Sequence, residues 1–235
     1  MDADVQKVFD QAKRIVFLTG AGVSTPSGIP DYRSKNGLYE QDNDGKPAEY
    51  YLSHACLTDE PDQFYAFVKN NMYYPNAKPN PIHEKQAALT NQNRASIITQ
   101  NVDNLYHVAH ATHLVEFHGN LYDVSCQKCH QSVDWHAYLN SPVHEGCGGI
   151  LRPGIVLYDE GLDPKRVQTS VDLMAKSDLI VIVGTSMRVY PFAGLLQYRN
   201  PSAPVIAINQ EPLHLGIPLK MIQGDAVNFF KELRV

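Results

Sequence analysis

Residues 14–28, RIVFLTGAGVSTPSG, join a short apolar strand directly to a glycine-rich loop. The strand is predicted at 15–19, and Gly20-Ala21-Gly22 follows it at once. Two glycines this close together let backbone N–H groups approach a pyrophosphate at the start of a helix. Thr25 stands where the third glycine of G-x-G-x-x-G would be, so the loop alone also fits a tight strand-to-helix turn.

The same combination of a short apolar strand and a polar loop recurs along the chain. Further strands are predicted at 95–99, 114–117, 179–183 and 205–208, and helical spacing is found at 2–14, 83–91 and 227–233. Alternating strands and helices predict an α/β fold, with a parallel sheet that carries helices on both faces. Such sheets bind ligands at the carboxyl ends of their strands, where these polar loops lie.

The composition limits the classes of function. The chain has 235 residues, of which 43% are hydrophobic and 19% charged, and its net charge is −5. This composition is typical of a globular protein. The net negative charge indicates no broad basic surface, so no direct nucleic-acid binding is expected. The first 20 residues lack the basic start and apolar run of a secretory signal. We therefore predict a cytoplasmic protein without a membrane partner.

A second pattern lies in residues 124–151, which contain three of the four cysteines. Together with one histidine they give the spacing C-x2-C-x14-H-x2-C, formed by Cys126, Cys129, His144 and Cys147. Clustered cysteines in a reducing compartment indicate a metal, and Cys3His is a common closed zinc set. His130 and His136 are rival ligands without the paired spacing, and a zinc knuckle that has lost its metal is the alternative. A closed Zn²⁺ site would be structural.

Several motifs agree with one family. They are GAGVSTPSGIPDYRS (20–34), TQNVDNL (99–105), HGN (118–120), the cysteine stretch, LRPGIVLYDE (151–160), GTSMRVYP (184–191), IN (208–209) and GDA (224–226). Over about residues 14–233 the chain resembles the sirtuins, NAD-dependent protein-lysine deacylases, in their bacterial single-domain form. The resemblance implies a Rossmann-like NAD-binding domain at 1–35, 81–120 and 152–235. It also implies a small module made of a helical or irregular insert, 36–80, and a zinc-ribbon insert, 121–151.

The resemblance also implies roles for individual residues. His118 is the expected catalytic base, and Asn101 is expected to hold the ribose and an ordered water. The expected NAD-binding residues are Gly20, Ala21, Gly22, Ser24, Thr25, Asp31, Tyr32, Arg33, Gln100, Val102, Asp103, Gly184, Thr185, Ser186, Val189, Asn209, Asp225 and Ala226. The expected substrate-binding residues are Val156, Tyr158, Asp159 and Glu160. The implied products are nicotinamide, free lysine and 2′-O-acyl-ADP-ribose, and the implied partners are acylated-lysine proteins or peptides.

Two departures from the family pattern concern the substrate. The family's substrate loop is expected to hold the peptide as an added strand against residues 187–190. Asp159 replaces a glycine of this loop, which suggests a preference for basic residues around the target lysine. Family members that remove succinyl or malonyl groups resemble one another in a Tyr-x-x-Arg pair, and here Tyr65 is followed by Val68 where the arginine would stand. A buried acyl carboxylate would then be unpaired. We therefore predict uncharged acyl groups, with acetyl first.

Three other classes of function remain open at this point. An ADP-ribosyltransferase or NAD hydrolase on the same fold would use the same pocket without an acyl-lysine. A non-catalytic NAD-sensing or zinc-dependent binding module would tolerate the loss of His118, Asn101 or Asp103, and all three are present. A hydride-transferring dehydrogenase has only the glycine loop in its favour. The sequence does not indicate the protein substrates or the oligomeric state.

Overall fold

The computed structural model describes residues 2–32, 37–38 and 46–235. The strands are β1 Ile15–Thr19, β2 Ala95–Thr99, β3 Leu114–Glu116, β4 Gly119–Cys126, β5 Ser132–Val133, β6 Leu151–Ile155, β7 Leu179–Val183, β8 Val205–Asn209 and β9 Lys220–Gln223. The helices are α1 Ala3–Gln11, α2 Ala48–Tyr51, α3 His54–Asp59, α4 Pro61–Asn71, α5 Pro81–Asn91, α6 Leu105–Val108, α7 Trp135–Asn140, α8 Pro164–Lys176 and α9 Ala226–Glu232. None of these described helices is long and apolar enough to cross a membrane.

Six strands form one parallel sheet in the order β3-β2-β1-β7-β8-β9. Counted along the chain within this sheet, the order is 3-2-1-4-5-6, which is that of the Rossmann fold. The order reverses between β1 and β7, which pair from Ile15 with Leu179 to Thr19 with Val183. A crevice therefore opens at the carboxyl ends of these two strands, where a dinucleotide binds in this fold.

Apolar side chains cover both faces of the large sheet, as the prediction requires. On one face Phe9 of α1, Leu89 of α5 and Phe230 of α9 pack against the sheet. On the other face the contacts come from Met174 of α8 and from the 3₁₀ segment Phe192–Tyr198. Because the sheet is covered on both sides, β1 and β7 are buried along their whole length and their sequences are continuous apolar runs.

The predicted strands 15–19, 95–99 and 179–183 have the observed bounds of β1, β2 and β7. Helix α1 is shorter than the predicted 2–14, because the backbone N–H groups of Lys13 and Arg14 donate to the Asp178 carboxylate instead of continuing the helix. The sequence reasoning missed β9. This edge strand is partly exposed and has no apolar run that could have revealed it.

A smaller antiparallel sheet, in the order β5-β4-β6, lies beside the helices α2, α3 and α4. One apolar cluster joins these two parts of the chain, with Phe64 and Val68 from α4 packed with Leu121 and Val124 of β4. Strand β4 begins at Gly119 and β6 ends at Ile155, so the small sheet extends slightly beyond 121–151. The boundaries between the two modules stay a prediction.

Candidate active site

A cleft of about 670 Å³ lies at the carboxyl ends of β1, β2, β7 and β8, between the large sheet and the small one. It collects most of the residues expected to bind NAD or substrate: Gly20, Ala21, Gly22, Thr25, Asp31, Tyr32, Gln100, Asn101, Val102, His118, Val156, Tyr158, Asp159, Glu160, Gly184, Thr185, Ser186, Val189, Asn209, Asp225 and Ala226. Ser24 and Asp103 line a smaller adjoining cavity, the inner cavity, which shares Ala21 and Asn101 with the cleft. Arg33 lies outside the described residues.

The glycine loop after β1 packs against the loop after β7 with no room for side chains. The Gly22 N–H donates to the Gly184 carbonyl at 2.9 Å, and a Cβ on Gly22 would lie 2.8 Å from the Gly184 Cα. A Cβ on Gly184 would lie 2.6 Å from the Gly22 carbonyl carbon, and Gly184 has a φ of +57°. The glycines are therefore needed for the contact of these two loops, whether or not the third glycine of the motif is present.

A buried hydrogen-bond network connects the loops after β1 and β2. The Ser24 hydroxyl donates to Oδ2 of Asp103 at 2.5 Å, and the N–H of Leu105 donates to Oδ1 at 2.9 Å. The side-chain amide of Asn101 donates to the Gly20 carbonyl at 3.1 Å and to the Ser24 Oγ at 3.0 Å. Burial raises the pKa of Asp103, and the bond from Ser24 opposes that rise. The network fixes the Asp103 carboxylate in the inner cavity and the Asn101 amide where that cavity meets the cleft.

His118 follows β3 and lies half-buried in the cleft wall. Its Nδ1 lies 3.3 Å from the Gln100 carbonyl oxygen, which can only accept a hydrogen bond, so Nδ1 carries the proton. The other ring nitrogen, Nε2, is then an acceptor. Burial lowers the pKa of His118, which keeps the imidazole neutral near pH 7. Nε2 of His118 can therefore accept a proton.

At the far end of the cleft, two side chains expected near the adenosine already have partners within the chain. The amide of Asn209 donates to the Glu211 carbonyl at 2.9 Å. The Asp225 carboxylate accepts from the Val227 N–H at 2.8 Å and so caps helix α9. Both residues still line the cleft.

The segment after β6 forms the opposite rim of the cleft. The Tyr158 N–H donates to the Leu52 carbonyl at 2.9 Å, and its own carbonyl accepts from the His54 N–H at 3.0 Å. Asp159 has a φ of +70°, a conformation that favours glycine and that Asp tolerates better than most residues. The backbone at this position therefore has a conformation that a glycine would also adopt.

The Glu160 carboxylate already has hydrogen-bond partners within this rim. Its carboxylate accepts from Arg152 at 2.7 and 2.5 Å and from the Leu157 N–H at 2.9 Å. Although burial would raise the pKa of Glu160, the hydrogen bonds from Arg152 hold it at about 2. Glu160 thus lines the cleft and also fixes the conformation of the substrate loop.

The four predicted zinc ligands come together at one end of the small sheet. The ligand atoms of Cys126, Cys129, His144 and Cys147 all lie within 4.8 Å of one another. The His144 Nδ1 is 3.3 Å from both the Cys129 Sγ and the Cys147 Sγ. Tetrahedral zinc with Zn–S of ~2.3 Å and Zn–N of ~2.0 Å separates its ligand atoms by about 3.5–3.8 Å, so this set fits structural Zn²⁺.

The rival histidines lie outside this cluster. His136 Nδ1 is 2.7 Å from the Asp134 carboxylate, and its ring stacks on Trp135. His130 is not among the clustered ligands. The choice of His144 from the spacing agrees with the geometry.

Tyr65 and Val68, from which the acyl preference was predicted, do not line the cleft. The Tyr65 hydroxyl donates to the Leu139 carbonyl at 3.0 Å, and Val68 is fully buried in the small module. Asn71 and Met72, one turn later, are the residues of this region that reach the adjoining cavity. Only tertiary packing brings them there, so no local signal could have identified them.

One other part of the site was also missed. Ile29 and Pro30 line the inner cavity, and they stand inside the long glycine-loop motif, which was the available signal. Arg188 lines the outer cleft, within the 187–190 stretch that was expected to border the peptide. Among the described residues that line the cleft, it is the only Lys or Arg.

Comparison with known families matches residues 20–191 to the Sir2 family. The chain belongs to the Sir2 family. The match spans both glycine-bearing loops, His118 and the zinc cluster, so one family accounts for the ribbon and for the part of the cleft before residue 192.

Individual Sir2 relatives agree with this membership. An NAD-dependent protein deacetylase of Lactiplantibacillus plantarum is 60% identical over 230 residues, covering 98% of this chain and 97% of the relative. A solved Sir2–p53 peptide–NAD⁺ complex superposes with a TM-score of 0.84 at 28% identity, covering 98% of this chain and 96% of that one. Sir2Tm bound to a propionylated peptide gives 0.84 at 27% identity, covering 98% and 96%.

Proposed function

We propose that this Sir2 protein is an NAD-dependent protein-lysine deacetylase. It would convert NAD, an acyl-lysine and one water into nicotinamide, free lysine and 2′-O-acyl-ADP-ribose. The observation that carries the proposal is the position of His118, a neutral imidazole with an available Nε2, in the cleft that adjoins the cavity lined by the buried Ser24–Asp103 pair. The relative at 60% identity bears the name of this activity.

NAD fits the crevice between β1 and β7. The close contact of Gly22 with Gly184 leaves backbone rather than side chains facing the phosphate end of the cleft, as a pyrophosphate requires. Gln100, whose amide donates to the Thr185 hydroxyl at 2.9 Å, would border the nicotinamide ribose. Asn209 and Asp225 would lie beside the adenosine. When bound, NAD supplies the ribose carbon to which the acyl group's oxygen is transferred as nicotinamide leaves.

The polar residues of the hydrogen-bond network, and His118, would each have a role in the reaction. Asp103 would accept a hydrogen bond from the nicotinamide carboxamide, and its bond from Ser24 keeps the carboxylate in place. The Asn101 amide, held by Gly20 and Ser24, would position the ribose and a water. His118 would accept a proton from a ribose hydroxyl, a role suited to a histidine that is neutral near pH 7.

The substrate would be an acylated lysine in an extended segment of protein. Solved relatives hold a p53 peptide and a propionylated peptide, and a peptide can bind here as an added strand between the loops after β6 and β7. We keep the preference for uncharged acyl groups as a proposal. Its support is that, among the described residues, no Lys or Arg lines the inner cavity and only the exposed Arg188 lines the cleft, so a buried acyl carboxylate would meet no cation.

The zinc ribbon would have a structural role. Cys126, Cys129, His144 and Cys147 can occupy all four positions of a tetrahedral ion, which leaves none for substrate. Zinc would tie the end of β4 to the 144–147 turn and so stabilise a small sheet that carries one rim of the cleft. We also propose a cytoplasmic location, because thiolate ligands persist in a reducing compartment.

The test is incubation of the purified protein with NAD and acetyl-, propionyl- or succinyl-lysine peptides of one sequence, followed by mass spectrometry. We expect deacetylated peptide with O-acetyl-ADP-ribose, and a kcat/KM for the succinyl peptide at least 100-fold below that for acetyl. Free ADP-ribose with intact peptide would indicate an NAD hydrolase instead. A mass gain on protein would indicate ADP-ribosyl transfer. Efficient desuccinylation would contradict the acyl preference alone.

A further inference from the structure

Two exposed side chains of opposite charge face the outer part of the cleft. Asp159 lies in the loop after β6 and Arg188 in the loop after β7, and both line the cleft. Within the described part of the chain, neither makes an ion pair or a side-chain hydrogen bond. Their charges are therefore available to a ligand.

The other charges that line the cleft are already engaged or lie elsewhere. Glu160 is neutralised by Arg152, which it meets at 2.5 Å. Asp225 caps helix α9, and Asp31 has an interaction partner of its own. Glu211 follows β8, on the side where NAD is expected. Among the described residues, the rim around the target lysine thus presents one unpaired anion, Asp159, and one unpaired cation, Arg188.

These two charges stand on different walls. The wall with Asp159 is tied to the small module, because Tyr158 pairs its backbone with Leu52 and His54. The wall with Arg188 continues from β7 of the large sheet. The backbone N–H groups of Arg188 and Val189 make no hydrogen bond within the described residues, so they can pair with an extended peptide. A peptide between the walls passes both charges.

We propose that Asp159 and Arg188 select acylated segments in which the lysine has both a basic and an acidic neighbour. Asp159 attracts the basic side chain and Arg188 the acidic one. A segment with only one kind of charge leaves one wall unmatched, and it brings like charges together on the other. This inference rests on the proposed deacetylase activity and adds the class of sequence that the site accepts.

The experiment compares kcat/KM for acetyl-lysine peptides whose neighbours are neutral, basic only, acidic only, or both. Each charge is placed in turn at the two positions before and the two positions after the lysine. We expect the best peptide with both charges to exceed the neutral peptide, with each matched charge adding about two- to fivefold, as exposed ion pairs do. The advantage should shrink in 0.5 M salt because the charges are exposed.

Variants that neutralise one charge at a time test the contribution of each wall separately. Asp159→Asn keeps a side chain that tolerates the observed backbone conformation. Measured as the ratio to the neutral peptide in the same variant, the gain from the basic residue should be lost and the gain from the acidic residue kept. Arg188→Gln should remove only the gain from the acidic residue, and Arg188→Glu should turn that gain into a loss. Asp172→Asn and Lys165→Gln, exposed on α8 and outside the cleft, are matched charge controls that should keep both gains.

The outcomes distinguish this inference from the function on which it rests. If no acetyl peptide is deacetylated, the proposed activity itself is wrong. If all peptides are deacetylated with equal kcat/KM, or if both gains survive in Asp159→Asn and Arg188→Gln, the activity stands and the charge selection is overturned.

Discussion

The Ser24 hydroxyl lies 2.5 Å from Oδ2 of Asp103, 79 residues away along the chain. This bond joins the loop after β1 to the loop after β2 across the reversal point of the sheet. Because burial raises the pKa of Asp103, the bond from Ser24 helps to keep its carboxylate ionised. The serine of the glycine loop therefore acts on the carboxylate that is expected to meet nicotinamide.

Ser24→Ala should weaken the enzyme through Asp103. Without the hydroxyl, the charged form of Asp103 loses a hydrogen bond, so its pKa rises further and activity at low pH is lost earlier. We expect kcat/KM for NAD to fall about 10- to 100-fold, the range for a hydrogen bond to a charged group. The acid limb of the pH profile should move to higher pH. Asp103→Asn should have a still lower kcat/KM, and its pH profile should lack the part of the acid limb that titration of Asp103 causes. An unchanged acid limb in Ser24→Ala would contradict the coupling of Ser24 to Asp103.

Gly22→Ala should separate the two loops that form the NAD crevice. The added Cβ would lie 2.8 Å from the Gly184 Cα, so backbone must move, at a cost of about 1–3 kcal/mol. Urea unfolding should show this loss, and KM for NAD should rise. Gly161→Ala is the matched control, since its Cβ would meet no atom of the described residues within 4 Å and its stability should change little. Equal behaviour of the two variants would rule out the packing argument.

His144→Ala should release zinc, whereas His144→Cys should retain it. The first variant removes one of four clustered ligands, and the second supplies a thiolate in its place. Metal analysis and thermal unfolding should show a loss of bound zinc with a lower Tm for His144→Ala only. His136→Ala, in the same ribbon, should keep both at wild-type values. Loss of zinc from His136→Ala with retention in His144→Ala would reverse the assignment.

His83 should make the fold less stable in acid. Burial lowers the pKa of His83 to about 3, while the unfolded chain takes up this proton near pH 6.5. Stability from this group is therefore complete above about pH 6.5 and is lost as the pH falls towards 3. The loss is about 1.4 kcal/mol per pH unit, or about 2 kcal/mol at pH 5.

The measurement is urea unfolding at pH 7.5 and pH 5.0. His83 accepts the Asn80 N–H as the third residue of α5, a position where Gln also completes a capping box, so His83→Gln keeps the cap and removes the titration. Its stability should fall less between the two pH values than that of the wild type. The exposed His214→Gln should behave as the wild type does. An equal fall in all three proteins would exclude His83 as the cause.

The fold was predictable wherever burial leaves a continuous apolar run. Strands β1, β2 and β7 are covered on both faces, and their bounds could be read from sequence. The edge strand β9 is half-exposed and was missed, because its pairing with β8 rather than its own composition defines it.

The same contrast holds for the site. Residues that follow strands, such as Gly20, Asn101 and His118, stand in motifs and reach the cleft together. Asn71 and Met72 reach it only through the packing of α4 on the small sheet. Val68, in contrast, looked like an acyl-pocket position in sequence and is buried in the core. Side-chain direction on a helix depends on tertiary packing, which the local sequence does not contain.

The most direct test of the proposed deacetylase is the product balance of the wild type against His118→Ala. With NAD and an acetyl-lysine peptide, the wild type should release nicotinamide, deacetylated peptide and O-acetyl-ADP-ribose in equal amounts. His118→Ala should lose O-acetyl-ADP-ribose formation by about 100-fold or more, the usual contribution of a general base, with zinc content and Tm unchanged. Formation of O-acetyl-ADP-ribose by His118→Ala within about tenfold of the wild type would contradict the role of His118, and no O-acetyl-ADP-ribose from the wild type would contradict the proposed function.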